Sequence, residues 1–107
     1  MGIETPTGCV RHVVMLKFKP GTPEQTIRRM EREFARLPEQ IPQIIGLEWG
    51  TNISSEGFDR GYTHCFLLTF ADEAGRDAYL PHPAHTAFAD VLLPLLEEAH
   101  VIDYRAA

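Results

Sequence analysis

Between Tyr79 and His85 the chain reads Tyr-Leu-Pro-His-Pro-Ala-His, which places a phenol and two imidazoles within seven residues. Imidazole is the side chain whose unperturbed pKa lies closest to neutrality, so the chemistry open to this segment is proton transfer. Such chemistry needs a base within hydrogen-bond reach of an acidic C–H and a donor for the oxygen on which charge develops. Pro81 and Pro83 flank His82, and proline fixes φ and is rejected from helix interiors. The segment therefore reads as a rigid joint that opens the next helix. The same rings can also serve as helix-start packing, since His and Tyr are often half-buried without chemistry.

The elements that must position this joint follow from hydrophobic spacing. Val10 to Phe18 alternates as a strand, with His12, Val14, Leu16 and Phe18 on one face and Val13, Met15 and Lys17 on the other. Pro20-Gly21 ends it. Thr22 is the expected N-cap of a helix, with Pro23 in its first turn and Gln25 completing a capping box. Ile27, Met30, Phe34 and Leu37 then form an apolar stripe, and Arg28, Arg29, Glu31, Arg32, Glu33 and Arg36 read as its solvated face. Pro38 and Pro42 close that helix. Residues 44–53 and 62–70 read as two further strands around a polar loop. The second of them carries His64, Phe66, Leu68 and Phe70 on one face. Asp72 is placed to cap a short helix running to about Leu80. Phe88, Val91, Leu92, Leu95 and Leu96 give a last helical stripe, interrupted by Pro94, before a short strand over Val101 to Tyr104.

The order is β-α-β-β-α-β with an extra helix, the ferredoxin-like arrangement of an α+β fold. His12-x-x-x-Leu16-x-Phe18 and His64-x-x-x-Leu68-x-Phe70 repeat one pattern at the first strand of each half. The expectation from this echo is that the two strands are parallel neighbours, with His12 and His64 side by side at the same end and on one face. The opposite face is also apolar, through Val13, Met15, Cys65 and Leu67. One helical layer covers only one side, so a second copy of the sheet is expected on the other, as a homodimer.

Composition narrows the classes further. A chain of 107 residues supports one domain. Its boundaries read as a flexible extension at 1–8 and a folded unit at 9–107. A net charge of -5 without a Lys/Arg run leaves no nucleic-acid footprint and no polybasic membrane patch. The apolar stretches fall short of the ~20 residues of a membrane span. The start lacks the features of a signal peptide, and two cysteines without metal-type spacing fit free thiols in a cytoplasmic setting. His82 and His85 at i,i+3 could serve zinc, but no Cys, Asp or Glu joins them at a ligand spacing, so no metal is expected. His100 sits outside the cluster. Gly-rich phosphate loops, nucleophile elbows and CxxC pairs do not occur.

Four segments together are diagnostic: His12-Val-Val-Met-Leu-Lys-Phe-Lys19, Gly61-Tyr-Thr-His64, Tyr79-Leu-Pro-His-Pro-Ala-His85 and Ile102-Asp-Tyr104. In this order the chain resembles the stress-responsive α/β-barrel (Dabb) family from Val10 to Tyr104. The resemblance implies a ferredoxin-like protomer that pairs sheet to sheet into a dimeric α+β barrel. The family includes a plant polyketide cyclase, and the similarity to it implies His85 as general base and Tyr79 as the donor at the carbonyl oxygen. It implies His12, His64 and His82 as residues that shape or polarise a substrate pocket, and Asp103 as a support near the base. Phe34 and Leu96 stand where the cyclase has a tyrosine and a tryptophan, so the pocket wall has changed while the polar set is kept. The implied function is an enolisation or aldol-type cyclase or lyase acting on a small, polyketide-like apolar carbonyl ligand without a cofactor. Two alternatives stand beside it: a non-catalytic stress-responsive dimer or small-ligand binder, and a cofactor-free monooxygenase or isomerase.

Overall fold

A computed structural model describes residues 8–107; the expected extension at 1–8 lies, apart from Gly8, outside the described residues. Four strands and three helices follow in the order β1 (Val10–Phe18), α1 (Glu24–Ala35), β2 (Ile44–Thr51), β3 (His64–Phe70), α2 (Glu73–Tyr79), α3 (Pro83–Leu92) and β4 (Leu96–Arg105). Short 3-10 turns at Leu37–Glu39 and Leu93–Leu95 follow α1 and α3. The sheet order is β2-β3-β1-β4, which makes this the ferredoxin-like fold expected from the element order.

Every neighbouring pair of strands is antiparallel, which corrects the expected parallel pairing of β1 with β3. β1 instead runs parallel to β2, to which α1 joins it. β3 turns back from β2 and inserts between them, so it must run against both. His12 therefore lies opposite Leu68, and His64 opposite Leu16. The two histidines share a face but stand at opposite ends, four strand positions or roughly 13 Å apart at about 3.3 Å per residue.

That shared face carries the core. Val14, Leu16, Phe66, Leu68 and Phe70 from the sheet pack against Met30, Phe34, Tyr79, Phe88 and Leu92 from the helices. Phe34 stacks on Phe66 with ring centroids 4.0 Å apart. Such pairs add about 0.5–1.5 kcal/mol beyond their buried area. The other face shows Val13 and Met15 of β1 beside Leu67 and Cys65 of β3, and Ile102 of β4, with no helix over it. Both cysteines are free thiols, Cys9 buried and Cys65 exposed.

Two local expectations change. The capping box of α1 does not form: Pro23 itself holds the N-cap position in an extended backbone, and no side chain caps the helix. The Thr22 hydroxyl instead donates to the Lys19 carbonyl at 2.7 Å and closes the preceding turn. The last strand is longer than Val101–Tyr104, because Pro94 ends the helical run in a 3-10 turn and Leu96 then adopts an extended backbone that pairs with Phe18. No helix among the described residues is long and apolar enough to cross a membrane.

Candidate active site

The Pro–His joint works as two linked helix ends. α2 stops at Tyr79, and His82 becomes the N-cap of α3. The His82 Nδ1 accepts the Ala84 backbone N–H at 3.1 Å, with Pro83 in the first turn, where a missing N–H costs nothing. His85 follows in that turn. Its Nδ1 lies 2.9 Å from the Leu80 carbonyl oxygen. A carbonyl only accepts, so Nδ1 carries the proton and the neutral ring keeps its lone pair on Nε2. The joint brings the Tyr79 and His85 rings to a centroid distance of 4.3 Å.

Tyr79 is 1% exposed. Burial pushes its phenol well above the ordinary tyrosine range, so it remains a hydrogen-bond donor at all physiological pH values. Its hydroxyl has no protein partner among the described residues. Both rings line an inner cavity of about 120 Å3 between the sheet and α3, whose wall also includes His12, Phe34 and Leu96.

His12 is the third polar group of this wall. The antiparallel register of β1 and β4 sets it directly opposite Asp103, and His12 Nδ1 meets Asp103 Oδ1 at 2.6 Å. The second carboxylate oxygen accepts from Arg76 Nη1 of α2 at 3.1 Å. Asp103 thus supports His12 rather than His85, whose orientation comes from the Leu80 carbonyl. The edge of His12 also contacts Tyr79, with centroids 5.6 Å apart.

The other three histidines stand apart from this cavity. His82 is spent on its cap. His64 sits at the far end of the sheet, with both ring nitrogens engaged: Nε2 with Glu31 Oε2 and Nδ1 with Thr63 Oγ1, each at 2.7 Å. Glu31 also pairs with Arg28. It is buried, against its reading as part of a solvated face. Its position was legible: Ile27, Met30, Glu31 and Phe34 are spaced i, i+3, i+4 and i+7, the inner face of a helix. His100 lies on the uncovered sheet face, where the Tyr62 hydroxyl contacts its Nδ1 at 2.8 Å. Among the described residues, no three His, Cys, Asp or Glu side chains gather into a metal-holding group.

Residues 10–106 match the family model described as the stress responsive A/B barrel domain, Dabb. The chain is 35% identical over 103 residues to the stress-response A/B barrel domain-containing protein HS1 of Arabidopsis thaliana, covering 96% of this chain and 94% of that protein. It is 30% identical over 95 residues to olivetolic acid cyclase of Cannabis sativa, covering 89% and 94%. The solved hydroxynitrile lyase of Passiflora edulis superposes with a TM-score of 0.86 at 26% identity, covering 95% and 96%. Other solved neighbours with the ferredoxin-like fold are described as dimeric.

Proposed function

The chain belongs to the stress-responsive A/B barrel family, and from that premise and the geometry of its inner cavity we propose that it is an enzyme of the cyclase or lyase type. It acts by proton transfer between its own side chains and a small carbonyl compound. The observation that carries this reading is the Tyr79–His85 pair on the cavity wall, with the His85 lone pair fixed on Nε2 by the Leu80 carbonyl. His85 removes a proton from the carbon beside a carbonyl, and the Tyr79 hydroxyl holds the oxygen as negative charge builds on it. One relative is named as a cyclase and another as a hydroxynitrile lyase, which supports the cyclase or lyase class. The cavity, about 120 Å3, is smaller than the roughly 300–1,000 Å3 of drug-sized sites. It suits a short substrate or the reacting end of a longer one, with Phe34 and Leu96 bounding it.

The working form is a homodimer. The uncovered face of the sheet is apolar along Val13, Met15 and Leu67, and a second copy of this face is its natural cover.

The test is turnover of short ketones and poly-β-keto thioesters by the purified protein. A positioned base is worth on the order of 100- to 10,000-fold in rate, so His85→Ala lowers turnover by that factor while the fold persists. Tyr79→Phe keeps the ring and loses less. Full activity in His85→Ala removes the base assignment. Absence of turnover across the series, with ligands still binding, moves the reading to a small-ligand binder.

A further inference from the structure

A second and larger cavity, of about 690 Å3, lies between the uncovered face of the sheet and the loop after β2. It shares no lining residue with the cavity of Tyr79 and His85. Met15 of β1, Leu67 of β3 and Gly50 of β2 line it from the sheet, and Trp49 and Phe58 supply aromatic walls. Phe58 is 74% exposed and takes no part in the core. Gly50 leaves open space where a side chain would stand, and a glycine inside a strand often marks the close approach of a ligand. The volume falls within the roughly 300–1,000 Å3 of small-molecule sites, which combine apolar walls with a few placed polar groups.

One polar group of this wall is oriented from behind. Glu98 and His100 stand two residues apart on β4 and so project from the same face. The Tyr62 hydroxyl lies 2.8 Å from Glu98 Oε2 and 2.8 Å from His100 Nδ1. A carboxylate only accepts, so the phenol proton goes to Glu98, and the phenol oxygen accepts from Nδ1–H of His100. The lone pair of the neutral imidazole is then on Nε2, which has no protein partner among the described residues. The hydrogen bond to Glu98, joined by burial, holds the Tyr62 phenol above its ordinary range, so the relay persists through neutral pH. Lys17 Nζ braces the phenol from β1, 5.3 Å from the ring centroid. Packing alone asks for no such relay behind an exposed imidazole. What the relay supplies is a fixed hydrogen-bond acceptor on the cavity wall.

We propose that this second cavity binds a flat, neutral aromatic molecule that carries a hydroxyl group. The hydroxyl donates to His100 Nε2, and the ring packs against Trp49 and Phe58. The fully charged groups of the wall are Glu48, Asp59 and Arg60, and the excess of carboxylate disfavours an anion. Met15 and Leu67 continue the face read above as the contact with a second copy, so the ligand lies beside that contact. The assignment is independent of the chemistry proposed for His85.

The probe is 2-naphthol, with naphthalene and 2-naphthoate as controls that lack the donor or add a charge. Binding to the full chain is followed by calorimetry and by the indole N–H signal of Trp49, the only tryptophan in the sequence. The parent is expected to bind 2-naphthol and shift that signal, and to bind 2-naphthoate more weakly. His100→Phe keeps a ring but removes the acceptor; it is expected to weaken 2-naphthol about 3- to 10-fold, the worth of one hydrogen bond, and naphthalene by less than about twofold. Tyr62→Phe, which frees the tautomer of His100, is expected to weaken 2-naphthol selectively in the same direction. Gly50→Ile fills the cavity from a strand position that accepts a β-branched residue, so the fold is expected to persist while binding of 2-naphthol falls by about tenfold or more. Failure of the parent to bind, equal loss of 2-naphthol and naphthalene in His100→Phe, tighter binding of 2-naphthoate, or undiminished binding in Gly50→Ile overturns the assignment. None of these measurements uses turnover, so a parent inactive on carbonyl compounds overturns the function proposed above and leaves this site standing.

Discussion

Glu31 Oε2 and His64 Nε2 meet at 2.7 Å between α1 and β3, and both side chains are 6% exposed. This contact clamps the helix to the sheet at the end remote from the cavity. Breaking a buried pair by removing one partner strands the other charge and costs about 3–5 kcal/mol. His64→Ala is therefore expected to lower the unfolding free energy by about 3 kcal/mol, since Arg28 still accompanies Glu31. Urea titration measures it.

The same pair predicts an acid limb to the stability profile. Burial alone raises the pKa of Glu31, but the hydrogen bonds from Arg28 and His64 outweigh it and hold the carboxyl below its ordinary value. A carboxyl lowered in the folded state contributes stability above its unfolded pKa, about 4.3 for Glu, and loses it as pH falls through the folded value. Urea midpoints are expected to decline as pH drops below about 4, and Glu31→Gln is expected to flatten that decline. An unchanged slope in Glu31→Gln excludes this carboxyl as its source.

His82 is expected to matter for stability and little for turnover. Its ring caps α3, and loss of a side-chain cap costs about 0.5–2 kcal/mol. His82→Ala should therefore shift the thermal midpoint by several degrees, while His82→Asn restores most of it because Asn caps well. A kcat loss in His82→Ala comparable to that of His85→Ala would place the ring in the chemistry after all.

Leu96 limits the cavity from the first residue of β4. Leu96→Ala removes atoms from a buried site, so stability is expected to fall by about 2–5 kcal/mol. The cavity grows by the same atoms, and longer acyl chains should gain relative to shorter ones in kcat/KM. A comparison of chain lengths in parent and variant checks it; an unchanged preference means that Leu96 does not bound the substrate.

The uncovered sheet face supplies a further test of the reading. Met15→Asp and Leu67→Lys place charges on that face, away from the helices. Sedimentation is expected to show a dimer for the parent at micromolar concentration and a monomer for the double variant. A stable parental monomer would leave the apolar face to another partner.

Much of this was legible in the chain itself. Alternation gave β1 with its bounds, and Asp72 announced α2, because both signals are local. The relation of His12 to His64 is not legible in the repeat, since a repeated pattern specifies which face a residue takes but not the direction of its strand. The capping box at Thr22 failed for a local reason: Pro23, with its fixed φ, took the cap position itself. Asp103 could not be assigned to His12 from sequence, because a separation of 91 residues is bridged only by the β1–β4 register. Glu31 was hidden by the habit of sending charges outward, although its spacing argued for the inner face.

The cavity is held together by two kinds of constraint with different tolerance to change. Tyr79 and His85 are joined through a short proline-bracketed link, so their geometry travels with that segment wherever it is placed. His12 and Asp103 depend on the alignment of two strands from opposite ends of the chain. Side chains alternate along a strand, so a single residue inserted or deleted in β4 between Leu96 and Asp103 would turn the carboxylate to the uncovered face and bring Ile102 or Tyr104 inward. Insertions in the surface loop after β2 leave that alignment untouched. Length variation among descendants of this chain is therefore expected to accumulate in the loop and to be purged from the last strand.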